Sequence, residues 1–286
     1  MQSIYIPEKI IAATQHSDEG PAWLEQLPEA IVDLAQRWSL RLAAPFEAEA
    51  SCSWVAACTR ADGSPAVLKL GMPHMEALHE VEGLIFWAGD PTVLVLEADV
   101  ERNAILLEQC QPGIPLRQRP EPEQDEVIAS LLKRLWRVPP DPHPFRPLAE
   151  MATAWAAGSL AVADEWPDAG LAQEGIRLFE ELPRTTPHEA LLATDLHAGN
   201  VLQAQREPWL VIDPKPFFGD VAYDATQHLL NCRERLEANP ADTIRRFADL
   251  LEVDYERIKL WTFARLAAEA WGDLAVSQVL ARRVMG

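Results

Sequence analysis

Residues 191–220, LLATDLHAGNVLQAQREPWLVIDPKPFFGD, place three oxygen-bearing side chains at set intervals. Asn200 follows Asp195 by five positions, and Asp213 closes the apolar run WLVI eighteen positions after Asp195. NVLQA and PWLVID read as two short strands joined by the turn QREP, so Asp195 and Asn200 precede the first strand and Asp213 ends the second. Folding that hairpin brings the strand ends together, and the three side chains can then face one site. Two carboxylates and an amide oxygen make a hard donor set that suits Mg²⁺, a cation that takes few protein ligands and shares its shell with phosphates. A carboxylate left off the metal can orient a hydroxyl and accept its proton.

These residues need elements to hold them. Upstream, SWVAACT and AVLKL read as strands around the turn RADGSP, and HMEALHEVEGLIFWAG has helical spacing at Ala77, Val81, Leu84 and Ile85 before Gly89. TVLVLEAD and NAILLEQC read as a second strand pair, giving a small α+β unit over residues 46–110. Residues 1–45 read as partly helical, with apolar residues at Leu27, Ile31, Leu34 and Trp38. After Cys110 the composition shifts to a Pro-rich, polar stretch, then to helices expected at 124–137, 148–165, 168–182, 222–238, 240–252 and 254–283. The domain boundary is therefore expected near residue 110, with domains 1–110 and 111–286. Lys69 lies on a strand, just before a helix carrying Glu76, Glu80 and Glu82.

The charge balance is 25 basic against 44 acidic residues, a formal net charge of −19. Such a field repels nucleic acid and anionic membranes and attracts cations. No apolar run approaches the roughly 20 residues of a membrane span, and the start MQSIYIPEKI lacks the basic and apolar regions of a signal peptide. Cys52, Cys58, Cys110 and Cys232 are scattered with no CxxC pair, which reads as free thiols in a reducing cytoplasm. No P-loop and no GxG is present, which argues against the P-loop and Rossmann classes.

The run DLHAGNVL…PWLVIDPKPFFGDVAYD over 195–224 resembles the aminoglycoside/hydroxyurea antibiotic-resistance kinase family, whose stretch has the form HGDLHPGNVL followed by IDPKPxxGDPAYD. HEVEGLIFWAG and LLEQCQPGIPL resemble further family stretches, and the likeness covers roughly residues 40–280. The family's His-Gly before Asp195 is Ala193-Thr194 here, and the Pro after His197 is Ala198. The resemblance implies an α+β, bilobal protein-kinase-like fold, with a small N-terminal lobe and a larger, mainly helical C-terminal lobe. It implies transfer of the γ-phosphoryl of ATP to a small-molecule hydroxyl, by positioning and electrostatics.

By resemblance, Asp195 is the catalytic base, Asn200 and Asp213 hold Mg²⁺, and Lys69, placed by Glu80, contacts the phosphates. Ser51 and Ser53 stand in the loop over the phosphates, and Gln109, Cys110 and Gln111 offer backbone groups to the adenine edge. His197 is expected to brace the loop, Lys215 to meet phosphate or a neighbouring acid, and Asp220 and Asp224 to hold the loop and cap the next helix. For the acceptor, Glu269 and Asp273 are read on one helix face beside Trp271, a setting for an ammonium or guanidinium, with Arg265 as an alternative partner of Glu269. An aminoglycoside such as streptomycin is the implied substrate. Another hydroxylated amine, amino sugar or nucleoside, or a non-catalytic nucleotide-binding role, stands beside it. Too few residues separate Asp213 from GDVAYD for the activation segment of a protein kinase.

Overall fold

The computed structural model describes residues 4–15, 17, 19–47, 52–270 and 272–286. Along the chain, α1 (Glu8–Thr14) and α2 (Gly20–Arg37) lead into β1 (Arg41–Pro45), β2 (Ser53–Thr59) and β3 (Pro65–Gly71). Then come α3 (Glu80–Trp87), β4 (Val95–Asp99) and β5 (Ala104–Glu108). α4 (Glu121–Leu135), α5 (Leu148–Ala161) and α6 (Ala169–Glu181) precede β6 (Glu189–Leu192), β7 (Val201–Gln203), β8 (Trp209–Val211) and β9 (Phe217–Asp220). The chain closes with α7 (Val221–Asn231), α8 (Arg233–Ala238), α9 (Pro240–Leu251), α10 (Tyr255–Ala268) and α11 (Leu274–Met285). Contacts divide it into two compact units, one of residues 1–114 with 202–212 and the other of residues 115–201 with 213–286.

The first unit is built on an antiparallel sheet of order β1-β2-β3-β5-β4. Side chains alternate across a strand, so each strand divides its residues between two faces. Trp54, Ala56 and Cys58 of β2, Ala66, Leu68 and Leu70 of β3, and Ala104 and Leu106 of β5 pack with Ile10 of α1 and Leu27, Ile31 and Leu34 of α2. The intervening residues Val67, Ile105 and Leu107 pack with Val81 and Leu84 of α3. Lys69 has the parity of Val67, and this alternation sends it to the face covered by α3. The β7–β8 hairpin is fastened to this unit: Val93 N–H donates to Val211 C=O, Val211 N–H to Pro91 C=O, and Gly113 N–H to Gln203 C=O, each at 3.0 Å.

The second unit is helical around α10, whose residues 261–268 are all buried. Gly175 of α6 permits a close approach there, because a Cβ at this position would lie 2.7 Å from the Cβ of Ala268. Tyr223 of α7 meets Trp261 edge-on at 5.2 Å. A second anchor is the fully buried Asp125 of α4. It accepts from Arg235 at 2.6 and 2.7 Å and from Arg246 at 3.0 Å, and lies 2.8 Å from His228 Nε2. These pairs hold its carboxyl well below the usual range, against the opposing effect of its burial. Cys232 also lies near His228, but a carboxylate already held by two guanidiniums is an ion-pair network binding α4 to α7, α8 and α9.

Several expected elements differ in detail. Residues 41–45, within the stretch read as helical, form the edge strand β1. The helix expected from His74 starts only at Glu80, after a 3-10 turn at Met75–Ala77, because His79 takes a left-handed conformation at φ 70°. The single helix expected over 254–283 is two helices. Gly272 turns at φ 70°, and the Asp273 carboxylate caps α11 by accepting from Val276 N–H at 3.1 Å. The helix expected over 222–238 breaks at Cys232. Among the described residues, no helix is long and apolar enough to cross a membrane.

Candidate active site

In the first unit, Lys69 pairs across the sheet with Val55 and Ile105, and its ammonium donates to Glu80 Oε1 at 2.5 Å. Both side chains are buried. A buried ammonium and carboxylate are tolerable only as a pair, and this pairing fixes the lysine on the α3 face of β3. Gln109, Cys110 and Gln111 follow the last paired residue of β5 and make no backbone–backbone hydrogen bond among the described residues. Ser53 is the first residue of β2, opposite Gly71, and so belongs to the strand rather than to a loop. Ser51 lies outside the described residues.

In the second unit, β6 pairs antiparallel with β9, and the chain leaves β6 through Ala193 and Thr194 to reach Asp195. Asp224, buried on α7, holds this exit: its carboxylate accepts from Ala193 N–H at 3.0 Å, Thr194 N–H at 2.6 Å and the Trp136 indole at 3.0 Å. Burial pushes its carboxyl up to about 6, against those three hydrogen bonds. Thr194 stands at φ 48°, an uncommon conformation for a β-branched residue, and its hydroxyl donates to Lys215 C=O at 2.6 Å. Lys215 N–H returns to Ala193 C=O at 2.8 Å, so the segments before Asp195 and after Asp213 are laced together.

Asn200 donates its amide N–H to Asp195 C=O at 3.0 Å, which leaves the amide oxygen as the atom that could ligate a cation. Asp213 stands at φ 53° just before Pro214 and accepts from the Lys215 ammonium at 3.1 Å. His197 Nδ1 accepts from Gly199 N–H at 3.0 Å, a brace within the loop. Asp220 caps α7 by accepting from Ala222 N–H at 3.1 Å, and it also accepts from Arg257 and Trp261, each at 2.6 Å. The amide oxygen of Asn200 and the carboxylate of Asp213 are hard donors of the kind Mg²⁺ takes, so the residues present fit that ion.

Asp195 accepts at Oδ1 from Gln227 Nε2 at 2.7 Å, and its Oδ2 receives no hydrogen bond among the described residues. Burial raises its carboxyl to about 6. Asp213 pushes the same way, and Lys215, Arg265 and the Gln227 bond oppose it. Gln227 also lines an open pocket of about 240 Å³ with Asn231, Arg233, Arg265, Glu269 and Ser277. Arg265 is buried over the rings of Trp155 and Tyr223, at 5.2 and 5.3 Å. It donates to Thr226 Oγ1 at 2.8 Å and to both oxygens of Glu269, at 2.8 and 3.1 Å.

The description of one family, the aminoglycoside/hydroxyurea antibiotic resistance kinases, matches residues 37–273. The chain belongs to this family. It is 34% identical to the streptomycin 6-kinase of Streptomyces griseus over 287 residues, covering 95% of this chain and 91% of that protein. It is also 34% identical to the hydroxyurea phosphotransferase of Kitasatospora aureofaciens over 266 residues, covering 91% and 77%. The fold is that of the kinase-like phosphotransferases. The choline kinase of Streptococcus pneumoniae superposes with TM-score 0.63 at 13% identity, over 90% of this chain and 98% of that one. The macrolide 2'-phosphotransferase of Brachybacterium faecium gives 0.58 at 17%, over 90% and 98%.

Against the family's His-Gly, the pair Ala193-Thr194 has a physical account. Position 194 needs the left-handed conformation that glycine adopts freely. Threonine holds it here with the Lys215 and Asp224 bonds. The expected acceptor residues separate. Glu269 ends α10, lines the pocket and is clamped by Arg265, whereas Asp273 is exposed, caps α11 and does not line the pocket, because the helix expected to carry both is broken between them. Trp271 lies outside the described residues. Gln227 and Arg265 were missed as pocket residues. The signal available for Gln227 was its helical spacing, three residues after Asp224 and so on the same face of α7.

Proposed function

We propose that the chain transfers the γ-phosphoryl group of ATP to a hydroxyl of an aminoglycoside, with streptomycin as the leading acceptor. The observation that carries this reading is the 34% identity to streptomycin 6-kinases, which runs through 95% of the chain and so spans every residue of the constellation.

In this reading Asp195 Oδ2 accepts the proton of the acceptor hydroxyl. The acceptor oxygen forms a bond to the γ-phosphorus, the bond from that phosphorus to the β–γ bridging oxygen breaks, and its electron pair leaves with ADP. Lys69, fixed by Glu80, neutralises phosphate charge, and Lys215 adds a second cation beside Asp213. The backbone of Gln109, Cys110 and Gln111 meets the adenine edge. Asn200 and Asp213 would hold Mg²⁺, which when bound offsets charge on the β- and γ-phosphate oxygens. Glu269 accepts one bond from Arg265 at each oxygen. A carboxylate oxygen takes two, so Glu269 retains acceptor capacity for an amine or guanidine of the substrate.

The relative that phosphorylates hydroxyurea supports a second acceptor of much smaller size. Mg²⁺-dependent ADP release, measured across streptomycin, other aminoglycosides, hydroxyurea and hydroxylated amines, separates the two. Turnover with streptomycin and none with hydroxyurea supports the first reading, and the reverse supports the second. Nucleotide binding without turnover on any member of the panel would count against both.

A further inference from the structure

We propose that Gln227 is a positioning residue that joins Asp195 to the acceptor pocket. It donates to Asp195 Oδ1 at 2.7 Å while Oδ2 receives no hydrogen bond among the described residues, so one oxygen is anchored and the other is left for the acceptor hydroxyl. The same side chain lines the pocket that carries Asn231, Arg265, Glu269 and Ser277, and among the described residues its Oε1 has no partner. A hydroxyl or ammonium group of the acceptor can donate to that oxygen. One amide thus reads the acceptor and aims the carboxylate that takes its proton.

The placement follows from the helix. Asp224, Gln227 and Asn231 recur at helical spacing on one face of α7. Asp224 holds the backbone of residues 193 and 194, and Gln227 holds the side chain of residue 195. The Asn231 amide, in turn, donates to Gln227 C=O at 2.9 Å. A neutral amide suits the task, because it orients a carboxylate without cancelling its charge, as an ammonium there would. Gln227 is half-buried beside open pocket space rather than packed in the core, which separates its role from that of Asp224.

The inference rests on the phosphotransferase reading, and its test separates the two. The full chain is assayed with Mg·ATP, using streptomycin as acceptor and, without it, water as acceptor in slow ATP hydrolysis. Gln227→Met keeps the length and removes the donor, and Gln227→Glu keeps the shape and places a carboxylate against Asp195. Expected for both is a fall in kcat of about 10- to 100-fold, the loss of one charge-assisted hydrogen bond at the reacting centre, with KM for ATP within about twofold of wild type. KM for streptomycin rises in Gln227→Met. Should one variant fail to fold, the other decides by the same criteria. Wild-type kcat in either folded variant overturns the proposal while leaving the phosphotransferase reading intact. A parallel loss of ATP affinity and thermal stability also overturns it, because that is the signature of a merely structural side chain. A wild-type chain silent with both acceptors defeats the phosphotransferase reading and the proposal with it.

Discussion

At the residue scale, the proposed reaction rests on Asp195, and the environment of its carboxyl sets the working range expected of it. Burial raises its carboxyl to about 6, and only the carboxylate form accepts a proton. The rate as kcat/KM is therefore expected to be flat above about pH 6.5 and to fall about tenfold per unit below about pH 5.5. A profile flat down to pH 4.5 in a chain that remains folded would contradict this assignment. The same shift has a stability cost. The folded-state carboxyl lies above its unfolded value of 3.8, so folding favours the protonated form. That contribution is complete below the unfolded value and is lost as pH rises through about 6. At pH 7, without nucleotide or Mg²⁺, Asp195→Asn is expected to be about 1–2 kcal/mol more stable than wild type, while inactive. Denaturant melts of the two proteins check this, and a destabilised Asp195→Asn would contradict it.

At the element scale, the β7–β8 hairpin connects Asn200 at one end to Asp213 at the other, and Arg206 at its turn grips the first unit. Arg206 donates to Gly89 C=O and Thr92 C=O at 2.8 Å each and to Glu108 Oε1 at 2.6 Å, while Glu108 also accepts from Leu94 N–H at 2.8 Å. Arg206→Ala leaves those carbonyls and that carboxylate short of a partner. It is expected to destabilise the fold by about 1–3 kcal/mol in a urea melt; an unchanged midpoint would show the grip to be dispensable.

The elements also show what was legible in the sequence. Local alternation marks β2, β3 and β5 and puts Lys69 on a strand, and the ordered spacing of Asp195, Asn200 and Asp213 singles out the three residues that the proposed reaction uses. What escaped depends on distant partners. The pairing of Arg265 with Glu269 is legible as an i,i+4 spacing, but the rest of its setting is assembled from Trp155, Tyr223 and Thr226 on other helices, and no local pattern reports that. The break between α10 and α11 escaped because apolar periodicity runs on across it. α10 already ends at Ala268, where Glu269 turns to extended backbone, and Gly272 in left-handed backbone with the capping Asp273 then starts α11 afresh. β1 is short, with no buried residue, so its alternation carries little signal.

At the scale of the whole molecule, the net charge of −19 bears on the choice of acceptor. A diffuse negative field concentrates cations near the surface, and salt screens it with a Debye length of about 8 Å at 0.15 M. For a multiply cationic acceptor such as streptomycin, KM is expected to rise as salt is raised from about 0.02 to 0.5 M, whereas for neutral hydroxyurea it is expected to stay within about twofold. Equal salt dependence for both would mean that the charge serves another purpose.

The central claim is a transfer: a γ-phosphoryl group moves to an acceptor hydroxyl that gives its proton to Asp195. The most direct test follows radiolabelled γ-phosphate from ATP during incubation with Mg²⁺, streptomycin and either the wild-type chain or Asp195→Asn. Label appearing on streptomycin with the wild-type chain, and lost by at least about a hundredfold in the variant, is the predicted result. Label found only in inorganic phosphate, or on streptomycin at the same rate with both proteins, would contradict it.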